Sequence, residues 1–417
     1  MLEKSLDGIR KIKETVAETL EVVYLVLLAL LTAYNTLCAT QIDMVWDTLF
    51  AERPVLHELY RLILMEPQSV LLGLMILRFL ISKKYDWREW AVGLLLLICA
   101  EHAVKANGYD NILFMILMIL GARGISFRKI IKVYFAVSLF VTVGVVLGSQ
   151  IGLIENLVYQ QAGRNIRIAF GFGYPTSFAA HIYFLILCFW YLRAGKLTIM
   201  DPILPAFFGV FVYIFCEARF TSISLLLMAF VMCICTLLKV YCKKNGRIYR
   251  MHPMWSGTLA LSPVVCAGGI NVLSVLYTEH NQLLVFLNQL ITNRLALAKK
   301  GVELFGFSLW GTDIRMIGSG GTTSQPTQYF FLDSAYMQFS LQYGLVILAL
   351  ILLLLLFLCC RARAEKQWDF LWILVFVSIN GVIEANIFQL IYCPFLLAVF
   401  ADTKERTKSR RRSDEKS

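Results

Sequence analysis

About twelve apolar runs, separated by short polar joints, decide what this chain can fold into. They fall near residues 21–39, 68–82, 88–106, 109–122, 130–149, 175–192, 199–216, 220–238, 257–275, 337–360, 368–384 and 386–401. A helix needs roughly 20 apolar residues to cross the hydrocarbon of a bilayer, and several runs approach or exceed that. Inside lipid every backbone group must be satisfied within the protein, so such runs are read as helices. With 59% hydrophobic and 16% charged residues, the composition lies far from that of soluble domains. The expected fold is an all-α integral membrane protein with about 12 transmembrane helices. Residues 1–20 form an amphipathic segment on the inner surface, 21–401 the polytopic domain and 402–417 a basic tail. The runs 68–82, 109–122 and 386–401 are short enough to be tilted or re-entrant. The charged, amphipathic start precedes an ordinary first span, which argues against a cleavable signal peptide.

Lysine and arginine set the expected orientation. With both termini inside, 28 of the 39 basic residues fall in inner segments and ten outside, Arg78 lying within a span. The net charge of +11 therefore reads as a topology signal and gives no reason to expect nucleic acid as a partner. The arginine-rich tail suits contact with anionic membrane lipid. The eleven cysteines lie in spans, at span ends or in an inner loop, where small apolar packing explains them better than disulfides. No metal-ligand spacing and no cofactor fingerprint is present, and five scattered histidines make a zinc site a poor reading.

The longest interval of the second half too polar to span runs over the outer loop, 278–336. It carries Asn293-Arg294 in an amphipathic segment, Arg315, a Gly/Ser/Thr-rich turn from Gly318 to Ser324, and Asp333-Ser334-Ala335-Tyr336 before the next apolar helix. An earlier outer loop holds Arg164 and Arg167 ahead of Gly171-Phe172-Gly173-Tyr174-Pro175, with Pro175 placed to start a helix and His181 inside it. A third outer joint, Glu217-Ala218-Arg219, lies between two long apolar runs, where charges are costly unless paired, hydrated or facing a cavity. Glu101, His102 and Lys105 close the third run, as a cavity wall or a plain end cap. Several arginines at one level of the outer side suggest a receptor for a diphosphate, which guanidinium groups bind through two parallel hydrogen bonds.

In their order these segments resemble the integral-membrane O-antigen polymerase/ligase superfamily, most closely the polymerases of bacterial capsule and exopolysaccharide clusters. The similar stretches are Arg167 to Thr176, Ala218 to Ser222, Asn293-Arg294-Leu295 through Phe305-Gly306, and Asp333 to Tyr336 through Tyr343-Gly344. Together they cover roughly residues 130–360. Thr176 stands where the family more often has asparagine, and Asp333 where ligases usually have histidine, which favours polymerase. The resemblance implies a GT-C-like helical fold in the bacterial cytoplasmic (inner) membrane and a reaction without metal or cofactor. It implies an undecaprenyl-diphosphate-linked oligosaccharide as donor and a hydroxyl of the next lipid-linked repeat unit as acceptor. Flippase and chain-length regulator proteins are the expected partners.

On that reading Arg219 and Arg294 stabilise the leaving diphosphate, with Arg164 or Arg167 helping. Asp333 is the first candidate base, Glu217 the second and His181 the third; Arg315 and Tyr336 complete the substrate-binding set. Plainer roles stand beside these. Asp333 fits a helix N-cap, Arg294 has a possible partner in Glu303, and Glu217 and Arg219 can neutralise each other. Ligase-like transfer to another acceptor remains a second function. A flippase is a third, though its charges would be spread through the midplane and an inverted repeat expected.

Overall fold

The computed structural model describes residues 2–42, 55, 72–77, 87–109, 111–160, 165–318, 320 and 329–404. These residues are mostly helical. In chain order the helices are α1 (Leu2–Cys38), α2 (Trp87–Asn107), α3 (Asn111–Gly121), α4 (Phe127–Gln150), α5 (Pro175–Arg193), α6 (Ile203–Cys216) and α7 (Arg219–Lys244). There follow α8 (Pro253–Ala260), α9 (Ser262–Leu276), α10 (Gln282–Leu290), α11 (Arg294–Phe305), α12 (Ala335–Gln338), α13 (Leu345–Ala364) and α14 (Trp368–Ile383). One two-stranded antiparallel ribbon, β1 (Val158–Tyr159) against β2 (Arg167–Ile168), is set between α4 and α5.

Among the described residues five helices are long and apolar enough to cross a membrane: Thr15–Cys38 of α1, then α4, α5, α7 and α13. α8 and α9, bent by 48°, pass the same test as one broken span. α3, α6 and α14 are apolar but shorter. The expected twelve spans are thus not reached among the described residues: α2, over the run 88–106, does not pass the test, and α3, α6 and α14 are too short for it. Most of the run 68–82 lies outside the described residues. The run 386–401 is not an α-helix: it passes through turns into a 3₁₀ segment, Phe395–Val399.

That last stretch keeps only short turns of backbone hydrogen bonding, and it is tolerated because it is buried in protein, where side chains satisfy further carbonyls. Tyr134 of α4 donates its hydroxyl to the carbonyls of Ile391 (2.9 Å) and Tyr392 (2.6 Å). Arg361 of α13 donates to the Ala398 carbonyl at 3.1 Å. Farther on, Asp402 and Phe127 are joined by a backbone hydrogen bond of 2.9 Å. All eleven cysteines are free, as small packing residues would be.

Two ends of the bundle differ in chemistry. At one end Arg128 reaches the Leu192 carbonyl, Lys239 pairs with Asp369 at 2.6 Å, and Arg363 bonds Ser256. The starts of α4 and α14 therefore meet the ends of α5, α7 and α13 in a basic layer. At the other end, α6 turns into α7 through Glu217-Ala218, and α5, α7 and α11 all begin. The segment 306–312 packs against the start of α13, where Leu345 and Val346 donate to the carbonyls of Ser308 and Leu309. The contact is so close that a Cβ on Gly344 (φ +93°) would lie 2.4 Å from the Leu309 carbonyl oxygen, and one on Gly311 (φ +92°) 2.1 Å from that of Gln342. Only glycine fits both the conformation and the space.

Candidate functional site

Three helix N-termini converge on one cleft. Pro175 starts α5 with a fixed φ suited to the first helical position. α7 starts at Arg219 directly after Glu217, which takes a left-handed conformation (φ 48°, ψ 33°) to close the turn from α6. α11 starts at Arg294 after Thr292 and Asn293, both left-handed at φ 55° and 63°. Two turns thus place an arginine at the first position of a helix, where unsatisfied backbone N–H groups also favour anions. The cleft has a volume of about 370 Å³. Its polar lining comprises Arg167, Glu217, Arg219, Arg294, Asp333 and Glu384, with Tyr174, Thr176, Thr221 and Tyr329 beside them. Leu290, Ile291, Leu297 and Phe220 form an apolar side.

The arginines are held differently. Arg167 is buried: Nε donates to the Cys216 carbonyl at 3.0 Å, one Nη donates to the Tyr174 hydroxyl at 3.0 Å, and the guanidinium stacks on the Tyr174 ring at 4.9 Å. Arg219 is 53% exposed at its side chain and pairs at 2.5 Å with Glu217, itself only 4% exposed. Arg294 sits between two carboxylates, its Nε 3.5 Å from Asp333 and its Nη2 3.3 Å from Glu384. Its Nη1 donates to the Thr292 hydroxyl at 2.5 Å.

Burial raises the pKa of both carboxyls that face Arg294. Desolvation pushes Asp333 upward against the pull of Arg294. Glu384 stands past the last turn of α14, and burial carries it to about 7 although Arg294 and Arg167 draw it down; Asp333 adds to the rise. Desolvation outweighs the arginines because charge is unfavourable in a poorly hydrated site.

The geometry sorts the residues expected from sequence. Arg167, Glu217, Arg219, Arg294 and Asp333 come together. Arg164 lies outside the described residues, as does most of the Gly318–Ser324 turn. Arg315 is exposed on the loop and does not line the cleft. His181 is a core residue. Its Nδ1 donates to the Ser177 carbonyl at 2.8 Å, and its ring packs between Phe172 and Tyr392 at 4.8 and 4.6 Å. Tyr336 is also fully buried and donates its hydroxyl to the Ser378 carbonyl at 3.0 Å, tying α12 to α14 rather than facing a substrate. The N-cap of α12 is Ser334, not Asp333, and Ser334 spends its hydroxyl on the Gly381 carbonyl. Glu303 pairs with Lys299, not with Arg294. Glu101 and Lys105 form an exposed pair, and His102 packs on Trp310.

The residue that sequence reasoning missed is Glu384. It lies at the end of the apolar run 368–384, which by hydropathy reads as a span. The available signal was the rule that an ionisable residue inside an apolar run marks a functional position. Among the described residues no cluster of His, Cys, Asp or Glu suited to a metal ion is present. No protein-family model, curated protein or solved structure matches the chain.

Proposed function

We propose that the chain is a polysaccharide polymerase of the membrane, a glycosyltransferase that uses a lipid diphosphate as leaving group. The observation that carries this reading is the convergence of Arg167, Arg219 and Arg294 with Asp333 and Glu384 on one cleft at three helix starts. Cleavage of an anomeric carbon–oxygen bond leaves negative charge on a diphosphate. Prepositioned cations and helix N-termini stabilise that charge, each such group often contributing about 3–4 kcal/mol. A cleft carboxylate accepts the proton of the attacking sugar hydroxyl. The donor fitting this chemistry is an undecaprenyl-diphosphate-linked oligosaccharide, and the acceptor is the next lipid-linked repeat unit.

Two further features support a substrate that arrives from lipid on the outer face. The basic layer lies at the opposite end of the bundle from the cleft, which by the positive-inside rule supports reading the cleft as outer-facing and both termini as cytoplasmic. α10, beside the cleft, is inverted in polarity: Asn288 is buried while Leu283, Phe286 and Leu290 are exposed. Such a face suits the bilayer interface rather than water. A flippase is less well supported, because the charged residues of the cleft gather at one end of the bundle.

Purified protein supplied with lipid-linked repeat units from its host tests the reading. Longer glycans and released lipid diphosphate are expected. Absence of both, with the donor intact, would overturn it. A cysteine replacing Arg315, on a background without native cysteines, should react with a membrane-impermeant maleimide in intact cells; labelling only after permeabilisation would reverse the orientation.

A further inference from the structure

Glu384 enters the cleft from a part of the chain remote from the other site residues. It leaves α14 in extended backbone (φ −124°, ψ 142°). The charged and titratable groups around it are Arg294 from α11, Asp333 and Tyr329 from the segment before α12, Arg167 from β2, and Tyr392 from the final buried stretch. It thus meets charged groups from several separate parts of the chain, while Glu217 is paired with Arg219.

The three arginines are not equivalent as phosphate ligands. Both Nη atoms of Arg294 are engaged, Nη2 by Glu384 and Nη1 by Thr292 and the Ile291 carbonyl. The buried Nε lies 3.5 Å from Asp333 as an ion pair without a hydrogen bond. Arg167 is engaged through Nε and one Nη and stacked on Tyr174. Arg219 bonds Glu217 through one Nη and presents the rest of its half-exposed guanidinium to the cleft.

We propose, on the reading that this cleft performs glycosyl transfer, that Glu384 is the proton acceptor, Arg294 its positioning residue, and Arg219 the group that receives the leaving phosphate. In the step, the acceptor oxygen forms a bond to the anomeric carbon of the donor as that carbon's bond to the diphosphate oxygen breaks. The bonding electron pair leaves with the diphosphate beside Arg219, and the hydroxyl proton passes to a Glu384 carboxylate oxygen. Arg294 fixes that carboxylate through Nη2. Asp333, 23% exposed and 3.5 Å from Nε, holds the guanidinium from its other edge. A base works best when its affinity for protons matches the operating pH, and the upward shift of Glu384 to about 7 meets that condition.

The test compares full-length wild type, Glu384→Gln and Asp333→Asn, using host lipid-linked repeat units as substrate and undecaprenyl diphosphate as binding probe. Wild type should show a rate that rises through neutral pH. Glu384→Gln should lose at least about 100-fold in kcat and lose the acidic limb, while still binding undecaprenyl diphosphate. Asp333→Asn should keep the limb but displace it to lower pH, because a neighbouring negative charge has gone. A Glu384→Gln enzyme with normal rate and normal limb would overturn the assignment while leaving the function intact, and so would loss of the limb in Asp333→Asn. If Glu384→Gln fails to reach the membrane, the direction of the Asp333→Asn shift decides alone. A wild-type protein that consumes no lipid-linked donor would overturn both the function and this assignment.

Discussion

The guanidinium of Arg294 and the carboxylate of Glu384 meet at 3.3 Å across 90 residues of sequence. Arg294 opens a loop helix and Glu384 ends a bundle helix, so their contact ties the 278–336 loop to the membrane domain. The same guanidinium holds Asp333. One arginine thus neutralises a pair of carboxylates that would otherwise repel each other in a poorly hydrated site.

Lysine cannot reproduce that bridge, because it offers a point charge in place of a planar fork. Arg294→Lys should lose most polymer and also melt at lower temperature. Removing the cation with Arg294→Gln should cost about 3–5 kcal/mol, the usual result of leaving buried charges unpaired. Arg219→Lys should lose polymer with near-normal stability, since that side chain is half exposed and holds only Glu217. Polymer yield and thermal melting at matched expression check both. Wild-type polymer in both lysine variants would count against the arginine site.

The sequence reading gave Asp333 a possible part as a helix cap, and the geometry removes it. Ser334 holds the N-cap position. Asp333→Ala should therefore spare the roughly 1 kcal/mol that loss of a cap typically costs, and its effect should fall on the cleft. A melting-point loss equal to that of a true cap deletion, with activity unchanged, would restore the capping role.

Much of the site was legible because arginines are scarce at that end of a basic chain. Arg167, Arg219 and Arg294 stood out against apolar neighbours, and Asp333 opened an apolar helix. The failures have a common physical origin. Hydropathy reports how apolar a segment is, not whether it faces lipid or lies inside the bundle. The stretch 386–401 is apolar because it is buried, so it was counted as a span. Glu384 was masked by the same run, with its partner ninety residues away. Tyr336 and His181 carry polar groups, yet the Tyr336 hydroxyl and His181 Nδ1 each bond a neighbouring carbonyl in the core. Nothing local in the sequence separates that role from substrate binding.

The close approach of Gly311 and Gly344 predicts an intolerant joint. Alanine at either position would drive a Cβ into backbone, which cannot swing aside as a side chain can, and would also need a left-handed φ. Losses above about 4 kcal/mol belong to this kind of defect. Gly344→Ala and Gly311→Ala should each reduce folded protein in the membrane, read by fluorescence-detected size exclusion. Gly268, with open space around its Cβ position, is the matched control. Equal yields of all three variants would show that the joint relaxes without cost.

On the proposed function, the exposed apolar face of α10 predicts contact with the lipid part of the donor. Phe286 is 60% exposed, and a charge there would lift the helix from the bilayer interface. Phe286→Glu should raise KM for undecaprenyl-linked donors and leave short-chain, water-soluble diphosphate donors little affected. If both donors respond alike, the helix shapes the cleft without contacting lipid.

Glu384 also leaves a mark on stability that is independent of catalysis. Burial pushes its carboxyl up to about 7 in the folded protein, whereas an unfolded glutamate titrates near 4.3. A group raised in this way stabilises the fold fully below its unfolded value, and the contribution is lost as pH climbs through the folded value. Between those limits the native state binds more protons than the unfolded state, so stability falls with rising pH. The shift corresponds to a change on the order of 4 kcal/mol. Glutamine keeps the shape and cannot ionise, so Glu384→Gln should escape this loss. Its melting temperature should match wild type near pH 4 and exceed it above pH 7, measured in the same detergent at one scan rate. A gap that fails to widen as pH rises would mean that Glu384 is ionised throughout, fully compensated by Arg294 and Arg167.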